Sequence, residues 1–206
     1  RRFGDRVQII GDDYLVTITT FPAAMIDLTN PDAYEFMKNV IKDNMIKIGM
    51  KGWMADFAEY LPTDAVLFNG EDPRLVHNTW PVRWAKLNEE AISESGFSED
   101  ILFFVRAGYT GTGKHAKVMW NGDQHVDWSR DFGIGSIVNS QLSLGLSGIG
   151  NSHSDIGGYT TFGKMVRSKE LFLRWMEMNT FSMMMRSHEG NQPDKNHQFD
   201  TDEETI

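Results

Sequence analysis

The sequence predicts an α/β fold built on parallel strands, on three observations. Short apolar runs of strand length recur along the 206 residues, segments of helical period alternate with them, and several of the runs end on a polar side chain. Repeated β/α units of this kind either close into a barrel or open into a doubly wound sheet.

Taken in order, Tyr14-Leu-Val-Thr-Ile-Thr reads as a short strand, and the stretch from Pro22 to Asp27 as a loop ending in a turn. A helix follows. Thr29 or Asn30 caps it, Pro31 suits its first turn, and Tyr34, Met37, Val40, Ile41 and Met45 recur near helical spacing up to a stop at Gly49. Gly52-Trp-Met-Ala-Asp-Phe is then a buried strand ending on the carboxylate of Asp56, followed by a loop rich in Pro, Asp and Gly. Trp84, Leu87, Ala91 and Ile92 share one face of a helix from about Pro81 to Ser95, and Ile101-Leu-Phe-Phe-Val-Arg is a second buried strand, ending at Arg106.

Beyond it, Met119-Trp-Asn-Gly-Asp is a third strand candidate, 135–146 a helix, 148–155 a fourth strand end, and 168–178 another helix. Met183-Met-Met-Arg reads as a fifth strand ahead of His188, with its methionines in the core, and the tail from Glu189 is polar. A complete eight-fold barrel takes roughly 250 residues, so a barrel reading puts the first strands upstream of Arg1.

Composition narrows the function. With 40% hydrophobic and 12% aromatic residues the chain can bury one sizeable core. A formal net charge of -9 opposes binding to nucleic acid, which needs clustered Lys and Arg. No apolar run approaches the ~18 residues that span a bilayer, so membrane insertion is not expected. The absence of cysteine excludes disulfides and thiolate metal sites and suits a reducing, cytoplasmic setting. No His-Glu-x-x-His pattern occurs among the six histidines, and neither metal nor cofactor is expected. Self-association into a homo-oligomer is left open.

The strand ends carry the chemistry. Asp56, Arg106, Asp123 and Asp155 each close a strand candidate, and in a parallel barrel all such ends lie on one face, where active sites assemble. Two carboxylates converging there are the minimum equipment for acetal hydrolysis, one attacking the anomeric carbon and one protonating the leaving oxygen. A single Asp at a strand end is also a common turn or cap residue. The aromatic settings of Asp56, after Trp53, and of Asp123, after Trp120, favour the catalytic reading.

The segments Gly-Trp-Met-Ala-Asp-Phe-Ala-Glu-Tyr-Leu-Pro-Thr-Asp (52–64), Trp-Asn-Gly-Asp-Gln (120–124) and His-Ser-Asp-Ile-Gly-Gly-Tyr-Thr-Thr (153–161) resemble glycoside hydrolase family 31, and within it the branch acting on sulfoquinovosides. The resemblance runs from about Tyr14 to Ile206 with the segments in the family's order. It implies the C-terminal portion of a (β/α)8 TIM barrel across 1–206, about strands 4 to 8 with the preceding helix, the early strands missing from the chain. It implies a retaining α-glycosidase releasing sulfoquinovose from glycerol- or sulfolipid-derived sulfoquinovosides, with Asp56 as nucleophile and Asp123 as acid/base.

By the same resemblance Arg106, Trp120, Asp155 and His188 bind sugar hydroxyls or shape the pocket, and Tyr159 helps to hold the sulfonate. Arg106 as an ion-pair partner of a barrel carboxylate, His188 as a structural hydrogen-bonder and Trp120 as core remain alternative readings. Glu59 matches the family's acidic position. Ala58 stands where the family has glycine, Asn121 and His125 also vary, and the family's arginine, tryptophan and glutamine for the sulfonate precede the nucleophile strand, outside this chain.

Two other functions compete. A family 31 α-glucosidase or α-xylosidase would use the same carboxylates on a neutral sugar. A nucleotide-binding protein is suggested by Gly108-Tyr-Thr-Gly-Thr-Gly-Lys-His, which nearly spells a phosphate loop. There, however, His115 replaces the magnesium-binding hydroxyl, and Asn121-Gly122 leaves no adequate helix behind it.

Overall fold

A computed structural model of the protein describes residues 15–18 and 21–206. Tyr14 and Thr19, the ends of the first expected strand, lie outside the described residues. Two compact units are distinguished among the described residues, one ending at Lys117 and the other spanning 118–206.

In the first unit, β1 (Leu15–Ile18) pairs antiparallel with β2 (Phe21–Ala24). The expected loop at 22–27 thus begins as a strand. Proline, which lacks a ladder donor, is tolerated in a two-stranded ribbon because such a strand has an unpaired edge. Helix α1 (Pro31–Ile41) starts where Asn30 Oδ1 accepts the Asp32 N–H at 2.9 Å, so the cap is Asn30 rather than Thr29. It widens into a π-helical turn over Lys42–Ile46 before Gly49, at φ +94°, ends it.

Strand β3 (Gly52–Met54) runs parallel to β4 (Leu102–Val105), with Trp53 opposite Phe103. The loop after β3 is not wholly irregular. Asp72 caps a one-turn helix α2 (Pro73–Val76), which leads through a 3-10 turn into α3 (Trp80–Glu94). The apolar face of α3 is buried as its period predicts, with Leu87 and Ala91 fully enclosed, each large aliphatic side chain contributing about 1.5–3 kcal/mol. Two polar links orient this helix. The buried Trp53 indole donates to Asn88 Oδ1 at 2.8 Å, fixing β3 on α3, and Lys38 of α1 donates to Glu94 at 2.6 Å.

The second unit repeats the strand, helix, parallel strand arrangement. Strand β5 (Val118–Trp120), α4 (Ile134–Leu146) and β6 (Ser152–His153) form one such set, and β7 (Asp155–Ile156), α5 (Lys169–Asn179) and β8 (Arg186–Ser187) the next. Its core gathers Val126, Ile137, Ile156, Leu171, Phe172 and Trp175. The strand end expected at 148–155 is split in two by buried Ser154, which accepts from Trp175 Nε1 and whose carbonyl accepts from Asn179, both at 2.8 Å. The fifth strand starts only at Arg186. Met183 and Met185 are about half exposed, not core, because the chain there has left α5 and not yet joined β7.

No helix among the described residues is long and apolar enough to cross a membrane. Parallel strands alternating with helices in both units bear out the α/β class.

Candidate active site

Asp56 sits two residues beyond β3, which is anchored from below by the Ala55 N–H to Phe104 O bond at 2.9 Å. The chain then turns sharply: Phe57 and Ala58 both take left-handed backbone, at φ 64° and 79°. Consecutive non-glycine residues in that region store strain, which persists only where surrounding contacts enforce it. Here the contacts converge on Arg106, at the end of β4. Its Nε lies 3.2 Å from Asp56 Oδ1 and 2.8 Å from Glu59 Oε1, its Nη2 lies 2.6 Å from Glu59 Oε1, and its guanidinium packs over the Phe57 ring at 4.3 Å. The Phe57 N–H donates to Asp56 Oδ1 at 2.7 Å. One arginine thus pairs with both Asp56 and Glu59, the ion-pair contact that the alternative reading of Arg106 expected. A cavity of about 200 Å³ opens beside Glu59, walled by His77, Asn78, Pro81 and residues 107–109.

Downstream, the glycine-rich segment forms only a three-residue 3-10 turn, Thr112–Lys114, so no helix is aimed at a phosphate.

Asp123 belongs to the second unit. It follows β5, whose Trp120 is 1% exposed, and the turn at Gly122, φ +77°. The loop carrying it is laced to the loop carrying Tyr159. Thr160 Oγ1 donates to Asp123 O at 3.1 Å, the Tyr159 and Thr160 N–H groups both donate to Gln124 O at 2.9 and 2.8 Å, and Val126 N–H donates to Thr160 O at 3.1 Å. Such an approach requires glycine. A Cβ on Gly158, φ +78°, would stand 2.8 Å from His125 O.

Tyr159 in turn meets His188, just past β8, with ring centroids 4.8 Å apart at 89°. His188 Nδ1 accepts the Gly190 N–H at 3.0 Å, so the neutral ring carries its proton on Nε2. Burial lowers the pKa of His188, Arg186 adds to the effect and Asp123 opposes it, so the site favours the neutral ring.

Asp155 is 1% exposed and ion-paired with Arg186, whose Nε also donates to His153 Nε2 at 3.3 Å. Burial, with Arg186 second, pushes His153 down to about 4. The structure therefore joins Asp56 with Arg106, and Asp123 with Tyr159 and His188 through their loops, while Asp155 is engaged by an arginine. Arg186 and His153 were not singled out as site residues in the sequence, although His153 opens the His-Ser-Asp segment and Arg186 ends the Met183-Met-Met-Arg run.

Residues 7–206 match the glycosyl hydrolases family 31 TIM-barrel domain. A sulfoquinovosidase of Escherichia coli is 57% identical over 95% of this chain, and one of Agrobacterium fabrum is 46% identical over 97%. These relatives are longer: the chain spans 29% and 30% of their lengths. Among solved structures, a family 31 sulfoquinovosidase from E. rectale in complex with the aza-sugar inhibitor IFGSQ superposes with a TM-score of 0.92 at 50% identity, covering 95% of this chain and 29% of that one. The chain belongs to glycoside hydrolase family 31 and forms part of its α/β TIM-barrel domain.

Proposed function

We propose that this chain supplies the catalytic carboxylates of a retaining α-glycosidase that hydrolyses α-sulfoquinovosides, and that residues 1–206 are the later part, about strands 4 to 8, of its barrel. The observation that carries the proposal is the Asp56 loop. A carboxylate at the end of a parallel strand has one oxygen held by Arg106 and a backbone N–H, and the two residues that follow it are held in strained, left-handed backbone.

In this reading Asp56 attacks the anomeric carbon while Asp123 gives its proton to the departing glycosidic oxygen, producing a glycosyl ester on Asp56 and a free alcohol. Asp123, now a carboxylate, takes a proton from water as the water oxygen displaces Asp56, so the sugar leaves with its configuration retained. Retention calls for carboxyl groups ~5–5.5 Å apart. His188, donating from Nε2, and the Tyr159 phenol bind the sugar, the phenol on the sulfonate side either directly or through water.

The likeness to sulfoquinovosidases, together with tyrosine at 159, supports the charged sugar over glucose or xylose. The cysteine-free composition supports a cytoplasmic setting, which cell fractionation tests. The decisive experiment compares chromogenic α-sulfoquinovoside and α-glucoside on the complete protein. Higher kcat/KM on the sulfonated sugar is expected, preference for the neutral sugar overturns the substrate assignment, and release of an inverted product overturns the mechanism.

A further inference from the structure

We infer that Arg167 is a positioning residue that holds the Tyr159–His188 pair in register and thereby sets the substrate preference of the site, an inference that rests on those two rings facing the substrate. Arg167 lies just before α5 and is 1% exposed. Its guanidinium reaches three separate loops. On the Tyr159 loop, Nη1 donates to Gly158 O at 2.9 Å and more weakly to Ile156 O at 3.5 Å. On the His188 loop, Nη1 donates to His188 O at 2.8 Å and Nη2 to Glu189 O at 3.2 Å. On the tail, Nε donates to His197 O and Nη2 to Gln198 Oε1, both at 2.8 Å.

These six partners are five carbonyls and one side-chain amide, and none is a carboxylate. Burial pushes Arg167 down to about 10, with Asp155 opposing, so it remains charged at neutral pH and its hydrogen bonds are charge-assisted. The backbone is shaped around this side chain. Gly157, φ +85°, has room for no Cβ, because one would fall inside contact distance of Arg167 Cδ and 3.0 Å from Phe172.

One accepting carbonyl belongs to the residue before Tyr159 and another to His188 itself, so the two rings share a single anchor. A second tie runs beside it: Asn191 N–H donates to Tyr159 O at 3.2 Å, and Asn196 Oδ1 accepts the Arg167 N–H at 2.9 Å. Lysine cannot replace this anchor, since one ammonium offers three donors from a point and cannot span three loops in a plane. A shift of the rings relative to the sugar should be felt most where the phenol meets the sulfonate.

The test uses the complete protein with Arg167→Lys, Gln198→Ala, Tyr159→Phe and the Arg167→Lys/Tyr159→Phe double variant. Each is measured for kcat and KM on α-sulfoquinovoside and α-glucoside, with Tm alongside. Arg167→Lys is expected to raise KM for the sulfoquinovoside by about tenfold with a smaller effect on the glucoside, and to add little to the loss of preference in a Tyr159→Phe background. Gln198→Ala, which deletes one acceptor, should shift the preference in the same direction by less and keeps the test open if Arg167→Lys does not fold.

Equal losses on both sugars, or full additivity with Tyr159→Phe, overturn the inference and leave Arg167 a scaffold residue. If Tyr159→Phe alone leaves the preference unchanged, the sulfonate reading of the site fails and takes the inference with it. If Tyr159→Phe shifts the preference while neither Arg167→Lys nor Gln198→Ala does, only the inference about Arg167 fails.

Discussion

The Tyr159 ring and the His188 imidazole meet at right angles, with centroids 4.8 Å apart and planes at 89°. The contact joins two loops that leave the adjacent parallel strands β7 and β8, so it is available only once both strands have paired. Removing the phenol oxygen while keeping the ring tests its chemistry apart from its packing. Tyr159→Phe is expected to lower kcat/KM for α-sulfoquinovoside by about tenfold, the value of one lost hydrogen bond, with little change on α-glucoside. A loss of equal size on both sugars would assign the phenol to the common ring hydroxyls instead.

The two aspartates should separate kinetically. Asp56→Asn removes the nucleophile and is expected to reduce turnover on every substrate to background. Asp123→Asn removes the proton donor, so its effect depends on the leaving group: large for an alkyl aglycone, small in the first step for an acidic phenol that departs without protonation. A burst of phenol followed by slow turnover, with the covalently labelled peptide containing Asp56, is the expected signature. A label on Glu59, clamped by the same arginine, would reassign the nucleophile.

These residues differed in how plainly the sequence displayed them. Helices α1, α3, α4 and α5 were legible because period and caps are local properties, as at Asn30 and along Leu87 and Ala91. Strand β2 was not, because Pro22 is a turn signal until a partner strand makes it an edge residue. Met183 and Met185 read as core from composition alone and are half exposed, since apolar character does not say which way a connecting segment faces. Asp56 and Asp123 stood out as strand-end carboxylates in aromatic settings, while their roles came from resemblance. Arg167 had no signal at all. Its importance lies in carbonyls drawn from three loops, and backbone acceptors carry no sequence signature.

Ala58 offers a test of strain beside the nucleophile. Its φ of 79° costs an alanine roughly 1–2 kcal/mol, and glycine removes that cost while giving back about 0.4–1 kcal/mol through the freer unfolded chain. Ala58→Gly is therefore expected to stabilise by about 0.5–1 kcal/mol, seen as a Tm rise of about 1–4 °C. Catalysis should change little, because Arg106 still fixes Asp56 Oδ1. A lower Tm would mean that the Ala58 methyl packs well enough to offset its backbone.

His153 makes the second unit sensitive to acid in a definite window. Its ring is fully buried, its Nε2 accepts from Arg186, and its pKa falls from 6.5 to about 4, burial being the larger cause and the arginine the smaller. The folded chain therefore binds the proton less readily than the unfolded one. The stability this contributes is complete above pH 6.5 and is lost as the pH falls toward about 4. At 1.36 kcal/mol per pKa unit the loss is about 3 kcal/mol, and the proton would also remove the acceptor of Arg186 Nε and weaken the support of its pair with Asp155. Denaturant unfolding of the complete protein between pH 4 and 7 should show this slope, and His153→Gln should flatten it despite lowering stability at neutral pH. An unchanged slope in the variant would move the acid sensitivity to the carboxylates and leave His153 as a hydrogen-bond acceptor without a titrating role.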